Sequence, residues 1–242
     1  VVVLGVDRDA CALTGRSPRR KTFAHVYILR ESDPVGGGEG LMDAVALLLY
    51  SVFLGVAFGW RTWLQWRRTG DTGLRIHADL GTLQWWAKLG FVAALVAGVA
   101  APVAGLAGLS PVPLLEVAAV RGAGAVIAVV GILATAGAQW QMGESWRIGV
   151  DPDERTGLVT AGVFARIRNP IFTAMLVAAT GFTLLVANWV AVAGLVALVI
   201  ALEVQVRAVE EPYLARTHGG AYETYAAAAG RFVPGIGRAR MR

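Results

Sequence analysis

Five apolar runs, each near the length that crosses a bilayer, set the reading of this chain. A membrane helix takes about 20 consecutive apolar residues. The runs extend from about Leu41 to Trp60, Leu83 to Leu106, Leu114 to Ala138, Pro170 to Ala187 and Trp189 to Arg207. Only Asn188 separates the last two. That leaves no room for a loop, so they are expected to form a tight hairpin whose two roots meet the same water layer. Pro170 suits the first turn of a helix, where its missing N–H costs nothing. The uncharged turn Gly108-Leu109-Ser110-Pro111-Val112-Pro113 stops one helix and starts the next. The expected fold is therefore all-α, an integral membrane protein with about five transmembrane helices.

Polar stretches divide the runs. Residues 1–40 differ from everything after them, with Arg16-Ser17-Pro18-Arg19-Arg20-Lys21 and the run Gly36-Gly37-Gly38. They contain no apolar core of a signal peptide, and read as a flexible tail or as residues ahead of the natural start. Residues 41–138 hold three helices, and 139–242 hold a polar loop, the hairpin and a C-terminal segment. The loop from Gln139 to Arg168 is long for a connection, which marks it as functional or disordered. Its tryptophans and turn-forming Gly and Pro argue for order.

Composition supports the membrane reading. Of 242 residues, 56% are hydrophobic and 16% charged, against about 25% charged in soluble domains; mean hydropathy is +0.57. The net charge of +5 reads as loop charge that fixes orientation. The stretches 61–82, 139–168 and 207–242 are arginine-rich, and the turns at 107–113 and near 188 have no Lys or Arg. The arginine-rich side is expected to be cytoplasmic, with the N-terminus outside, although the basic N-terminal tail runs against this rule. The arginines form no single patch with interleaved aromatics, so nucleic acid is not an expected partner. Cys11 stands alone and His25, His77 and His218 are scattered, so no disulfide framework or metal site is expected. No Gly-rich dinucleotide fingerprint follows a strand pattern.

Candidate chemistry gathers at the hairpin roots. Glu203, Arg207 and Glu211 are spaced i,i+4 and would share one helical face. Glu203 lies within the apolar stretch, where an ionisable residue faces a partner or a cavity; an internal ion-pair ladder is the alternative. Arg168-Asn169-Pro170 opens a helix, whose free N–H groups and partial positive charge favour anions. Arginine adds a bidentate grip for carboxylate or phosphate. The alternative is an interfacial arginine reaching lipid phosphates. Tyr222 and Tyr225 fit either a surface helix on the membrane or a cap over a pocket. Glu116 and Arg121 lie near the outer end of the third run. The small residues Gly122, Gly124, Gly131, Ala134 and Gly137 suggest close helix packing there.

In order, the chain reads Leu158-Val159-Thr160-x-Gly162-x-Phe164, Arg166-x-x-Asn169-Pro170-x-Phe172, an apolar hairpin, Glu210-Glu211-x-x-Leu214, Gly219-x-x-Tyr222-x-x-Tyr225 and Arg231-Phe232-x-Pro234. This combination, from about Gln139 to Pro234, resembles the isoprenylcysteine carboxyl methyltransferase family, in its bacterial type, and the related phospholipid methyltransferases. The resemblance implies an enzyme that uses S-adenosylmethionine in a cytosolic pocket without a Rossmann fold, in an inner (plasma) membrane. It implies cofactor contacts at Leu158, Val159, Gly162, Phe164, Asn169, Pro170, Glu210, Glu211, Tyr222 and Tyr225, with Gln139 and Gln141 as further lining. Arg168 and Arg207 are the candidates for orienting an anionic substrate group, and Glu210 for holding the cofactor's ammonium or ribose hydroxyls. The acceptor is expected to be a lipophilic or prenylated molecule entering from the membrane lipids, the carboxylate of an isoprenylcysteine-like substrate being one candidate. Two positions depart from the family's Arg-His-Pro-x-Tyr helix start: Asn169 does not titrate near neutrality, and Phe172 lacks a hydroxyl. The alternative function is a non-catalytic membrane structural or assembly protein. The acceptor atom and the oligomeric state are not set by these residues.

Overall fold

The computed structural model describes residues 37–74, 78–146 and 157–239. The expectations for the N-terminal tail through residue 36, for His77 and for order across 147–156 lie outside the described residues. Among the described residues, four helices are long and apolar enough to cross a membrane: Gly40–Thr69, Leu83–Leu106, Ala118–Met142 and Trp189–His218. A fifth apolar helix, Pro170–Val186, has 17 residues, about 26 Å at 1.5 Å per residue. Two of the long helices are interrupted by a wider π turn. The first comprises α1 (Gly37–Leu54), a π turn (Gly55–Trp60) and α2 (Arg61–Thr69). Then come α3 (Leu83–Leu106), α4 (Ala118–Met142) and α5 (Pro170–Val186). The last long helix comprises α6 (Trp189–Val204), a π turn (Gln205–Glu210) and α7 (Glu211–His218), and α8 (Gly220–Ala228) follows it.

The third helix starts at Ala118, four residues after the start expected from hydropathy. Leu115 N–H donates to Val112 O at 2.8 Å in a turn, and Val117 is extended, so the apolar residues ahead of Ala118 belong to the connection. Glu116 is thus outside the helix. Arg121, in the first turn of α4, is buried within the protein. It is 4% exposed, donates to Leu185 O at 2.8 Å and pairs with Asp43 Oδ1 at 3.3 Å. This buried pair ties α1, α4 and the end of α5 together.

Close packing of α4 on α5 follows from small residues. A Cβ on Gly131 would collide with the Ala178 backbone, and one on Gly181 with the Ala128 backbone. Such contacts let backbones approach where lipid provides no hydrophobic drive. Gly124 packs likewise, whereas Gly122 and Gly137 face open space. Tyr50, Phe53 and Phe182 fill the centre; Tyr50 and Phe182 meet edge to face at 5.1 Å. Large apolar side chains such as Leu48, Val96, Leu133 and Ile200 are exposed on the outer faces, as a lipid-facing surface requires.

The hairpin turn is tight, as expected. Ala187 is left-handed (φ 59°) and closes α5. Asn188 then caps α6, its Oδ1 accepting from Ala191 N–H at 3.0 Å while Nδ2 donates to Ala101 O at 2.8 Å. This is the closed end of the bundle. The other end holds the start of α5, the π turn after α6, and α7 and α8.

Candidate functional site

At that root end the C-terminal segment is strapped onto the start of α5. A helix start offers N–H groups without intrahelical partners; here Arg168 and Asn169 N–H, just ahead of Pro170, donate to Gly230 O and Arg231 O at 2.8 and 3.1 Å. Gly230 N–H donates to Arg166 O in return, at 3.0 Å. Asn169 Nδ2 also donates to Arg231 O at 3.1 Å, and Thr173 Oγ1 to Phe232 O at 2.8 Å. Asn169 is therefore a structural donor to the strap.

Arg168 is the hub of this joint. It is 8% exposed. Its Nη1 donates to Ala226 O and Ala229 O at 2.8 and 2.6 Å, and its Nη2 to Glu211 Oε1 and Gly237 O at 2.7 and 3.0 Å. Arg231 binds the same carboxylate in bidentate fashion, Nε to Oε1 and Nη2 to Oε2, both at 2.8 Å. That carboxylate holds the Arg231 guanidinium above its ordinary pKa. Both arginines are thus committed to protein acceptors, and Glu211 to two guanidiniums.

A cavity of about 400 Å³ opens beside this network, within the range of small-molecule sites. Its apolar part lies between α3, α5 and α6, lined by Phe91, Val92, Leu95, Phe172, Met175 and Leu202. Its polar part includes Lys88, Gln139, Ser145, Arg168, Asn169, Gln205, Glu210 and Glu211, with Trp146, Phe164, Tyr222 and Tyr225 as aromatic wall. Tyr225 Oη donates to Phe164 O at 2.8 Å. Burial pushes both the Tyr222 and Tyr225 hydroxyls up to about 12, so they remain protonated through the neutral range. Three residues that line the cavity each carry a buried polar atom without a protein partner: Gln139 Oε1, Gln205 Oε1 and Arg168 Nε. The amide orientations are fixed by their donors, since Gln139 Nε2 donates to Ala57 O at 2.9 Å and Gln205 Nε2 to Glu210 Oε1 at 3.2 Å.

Most residues expected from the sequence come together here: Gln139, Leu158, Val159, Phe164, Arg168, Asn169, Pro170, Glu210, Glu211, Tyr222 and Tyr225 all line the one cavity. Three do not. Gln141 is exposed and accepts from Val163 N–H at 2.8 Å. Gly162, at φ 63°, packs under that amide, where a Cβ would collide with Gln141 Oε1. These two shape the turn that carries Leu158, Val159 and Phe164. Arg207 points away from the cavity, with 58% of its side chain exposed and paired to Glu203. The expected common face of Arg207 and Glu211 is not formed. The π turn between them adds a residue to the helical turn and rotates Glu211 onto Arg168 and Arg231. Gln205, Lys88, Trp146 and Arg231 were missed. A single amide in an apolar run was the only signal for Gln205, and nothing in a linear pattern announces a π turn.

Residues 120–221 match the family model described as phospholipid methyltransferase. The match takes in α4 to α7, with Arg168, Glu210 and Glu211, and ends one residue before Tyr222. Among solved structures, the chain is similar to the eukaryotic intramembrane Ras methyltransferase, isoprenylcysteine carboxyl methyltransferase, with a TM-score of 0.52 and 15% identity. That likeness covers 81% of this chain and 70% of the other, and at this identity it establishes the fold. No curated protein matches the chain in sequence.

Proposed function

We propose, for a chain whose residues 120–221 match the phospholipid methyltransferase family model, an integral-membrane enzyme that transfers a methyl group from S-adenosylmethionine to a lipophilic acceptor. The observation that carries this reading is the composite cavity. One end is apolar and lies between membrane helices, and the other is polar and aromatic and lies at the helix roots. A lipid-soluble acceptor and a water-soluble cofactor need these two environments in one space.

The polar lining fits the cofactor. Gln139 Oε1 and Gln205 Oε1 are buried acceptors without protein donors, and Glu210 supplies a carboxylate; together they suit ammonium and hydroxyl groups. Trp146, Phe164, Tyr222 and Tyr225 offer aromatic surface to a purine and to a sulfonium cation. Bound there, S-adenosylmethionine supplies a methyl group already activated on sulfur. The residues of this chain then have mainly to align the acceptor with that methyl and to keep water out, which is where most of the gain of a two-substrate reaction arises. Arg168 and Glu211 contribute by fixing the polar wall. An isoprenylcysteine-like carboxylate remains one candidate acceptor. The arginine-rich loops support an orientation with this end in the cytoplasm, and the resemblance of the chain supports an inner (plasma) membrane.

The test is equilibrium binding of S-adenosylhomocysteine to the protein in nanodiscs, followed by transfer of a radiolabelled methyl group into lipid and prenylated-thiol extracts. Saturable binding with label in the organic phase is the expected result. A purified, folded protein that binds no S-adenosylhomocysteine refutes the enzyme reading and favours a structural role for the hairpin.

A further inference from the structure

The inner face of α2 carries a guanidinium that the fold does not neutralise. Arg61 is 2% exposed. Its Nη2 donates to the carbonyl of Gly143, the cap residue at the end of α4. Its Cζ lies over the Trp146 ring, 4.9 Å from the centroid. Nε and Nη1 are buried without a partner. Arg68 follows two turns along the helix and so on nearly the same face. Its Cζ lies 5.7 Å from the centroid of the Trp140 ring, and Trp140 stacks parallel to Trp60 at 6.5 Å. Both arginines thus converge on Trp140–Gly143, the end of α4. A helix C-terminus offers about −0.5 elementary charge, against two full positive charges. Among the described residues no carboxylate pairs with either arginine. The charge acting on Arg61 is that of Arg68, of like sign. An excess of positive charge is left at this point, and Arg68 is exposed to whatever balances it.

The surroundings of Arg68 are those of a membrane interface. The helix Gly40–Thr69 has 30 residues, about 45 Å at 1.5 Å per residue, and so outruns a hydrocarbon core of about 30 Å. Its last turns lie at headgroup depth, where Trp60, Trp63 and Trp140 are exposed as tryptophans at such a border are. From Trp140 toward the bilayer, the same face of α4 continues through Gly137, Leu133, Val130 and Val126, all exposed. A Cβ on Gly137 would meet nothing, so a notch separates Leu133 from Trp140. The geometry points to a site for one anionic phospholipid: Arg68, backed by Arg61, takes the headgroup phosphate beside the Trp60–Trp140 stack, and an acyl chain lies along α4 through the Gly137 notch. A zwitterionic headgroup brings its own ammonium, which two guanidiniums repel; a headgroup whose only charge is the phosphate does not. This site is separate from the cavity, whose wall it touches through Trp146, and it stands independently of the methyltransferase reading.

The experiment places the full chain in phosphatidylcholine vesicles and follows spin-labelled phosphatidylglycerol and phosphatidylcholine by electron paramagnetic resonance, the motionally restricted fraction giving their relative affinity. At low salt the wild-type protein is expected to hold phosphatidylglycerol about fivefold or more over phosphatidylcholine. Arg68→Gln, at an exposed position that leaves folding intact, removes most of that preference, and Arg68→Lys, which keeps the charge, retains it. Gly137→Leu fills the notch without touching any charge and also lowers the preference. Arg216→Gln, at another exposed arginine of the same end, leaves it unchanged. The inference is overturned if Arg68→Gln and Gly137→Leu both leave the preference as it was. It is equally overturned if Arg216→Gln lowers the preference as much as Arg68→Gln, since the attraction is then that of the surface as a whole. Loss of the preference when inorganic phosphate replaces chloride at constant ionic strength assigns the site to a free anion and overturns the lipid as its occupant.

Discussion

Glu211→Gln is the sharpest test of how the root end is held. The carboxylate accepts three charge-assisted bonds, at 2.7 Å from Arg168 and at 2.8 Å twice from Arg231. The side chains are 4% exposed for Arg168, 18% for Glu211 and 21% for Arg231, so the network is shielded but still reaches water at Arg231. Glutamine keeps one acceptor oxygen, but sets an N–H₂ against one guanidinium and leaves two cations without a counter-charge. Removing one partner of a buried pair costs about 3–5 kcal/mol, and the partial exposure of Arg231 puts the expected loss near the lower limit, about 3 kcal/mol. That corresponds to a fall of roughly 6–12 °C in apparent melting temperature for a chain of this size, read by intrinsic tryptophan fluorescence in nanodiscs. Arg231→Met should be destabilising alone and strongly non-additive with Glu211→Gln, with a coupling of about 1–3 kcal/mol. The strap should also open, so limited proteolysis near residues 229–239 should accelerate in both single variants. Unchanged melting, additive effects and an unaltered cleavage pattern would together refute the assignment of this network as the clamp on α5.

Further outcomes follow from the same geometry. Gly131→Val places side-chain atoms into the Ala178 backbone; α4 and α5 must separate, and overpacking of this kind costs about 1–3 kcal/mol, visible as a lower melting temperature. Glu210→Gln removes the charge of the carboxylate beside Gln205 and should weaken S-adenosylhomocysteine binding about tenfold or more, whereas Arg207→Met, on the outer face, should change it by less than about twofold. Tyr222 and Tyr225 both titrate near 12 because burial disfavours their phenolates. Below pH 10 they are protonated in the folded and the unfolded chain. Between pH 10 and about 12 the unfolded chain loses protons that the folded chain keeps, so stability should fall across that window. An alkaline melting series should show a shallower fall for Tyr222→Phe and Tyr225→Phe.

Much of the fold was legible because bilayer thickness imposes lengths on apolar runs and because Pro and Asn punctuate them unambiguously. The hairpin around Asn188 and the close face at Gly124 and Gly131 are such features. The cavity was legible as a set of residues at the two roots, since all of them enter the membrane from the same side. What could not be read was which face each residue takes beyond a π turn. Spacing placed Arg207 and Glu211 together; one extra residue per turn parted them. Nor does a linear pattern show that both Nη atoms of Arg168 would be taken up by carbonyls from Ala226, Ala229 and Gly237, 58 to 69 positions later in the chain. An arginine at a helix start reads as an anion site until its partners are seen. The Asp43–Arg121 pair was hidden for the same reason, as its members lie 78 residues apart.

The division of charge follows from this difference in partners. At the root end the guanidiniums of Arg168 and Arg231 are bound by Glu211 and the backbone, while the buried atoms of cavity-lining residues without protein partners are the carbonyls of Gln139 and Gln205 and the Nε of Arg168. A carboxylate acceptor would find Arg168 engaged at both Nη atoms, with Nε alone lacking a protein partner, whereas a cationic or hydroxyl-rich ligand is matched by the two glutamine carbonyls. Methyl transfer from a sulfonium asks for alignment more than for proton transfer, and alignment asks for fixed walls. The closed end supplies one fixed point, through Asp43–Arg121 and the Asn188 cap. The strap on Arg168 and Asn169 supplies the other. Helix α5 is held at both ends by contacts far apart in sequence, and its Phe172 and Met175 form part of the apolar wall between them. On the proposed reading, substitutions that loosen the closed end should therefore lower the rate of transfer more than cofactor affinity, whereas those that loosen the strap, which holds the polar wall, should lower both.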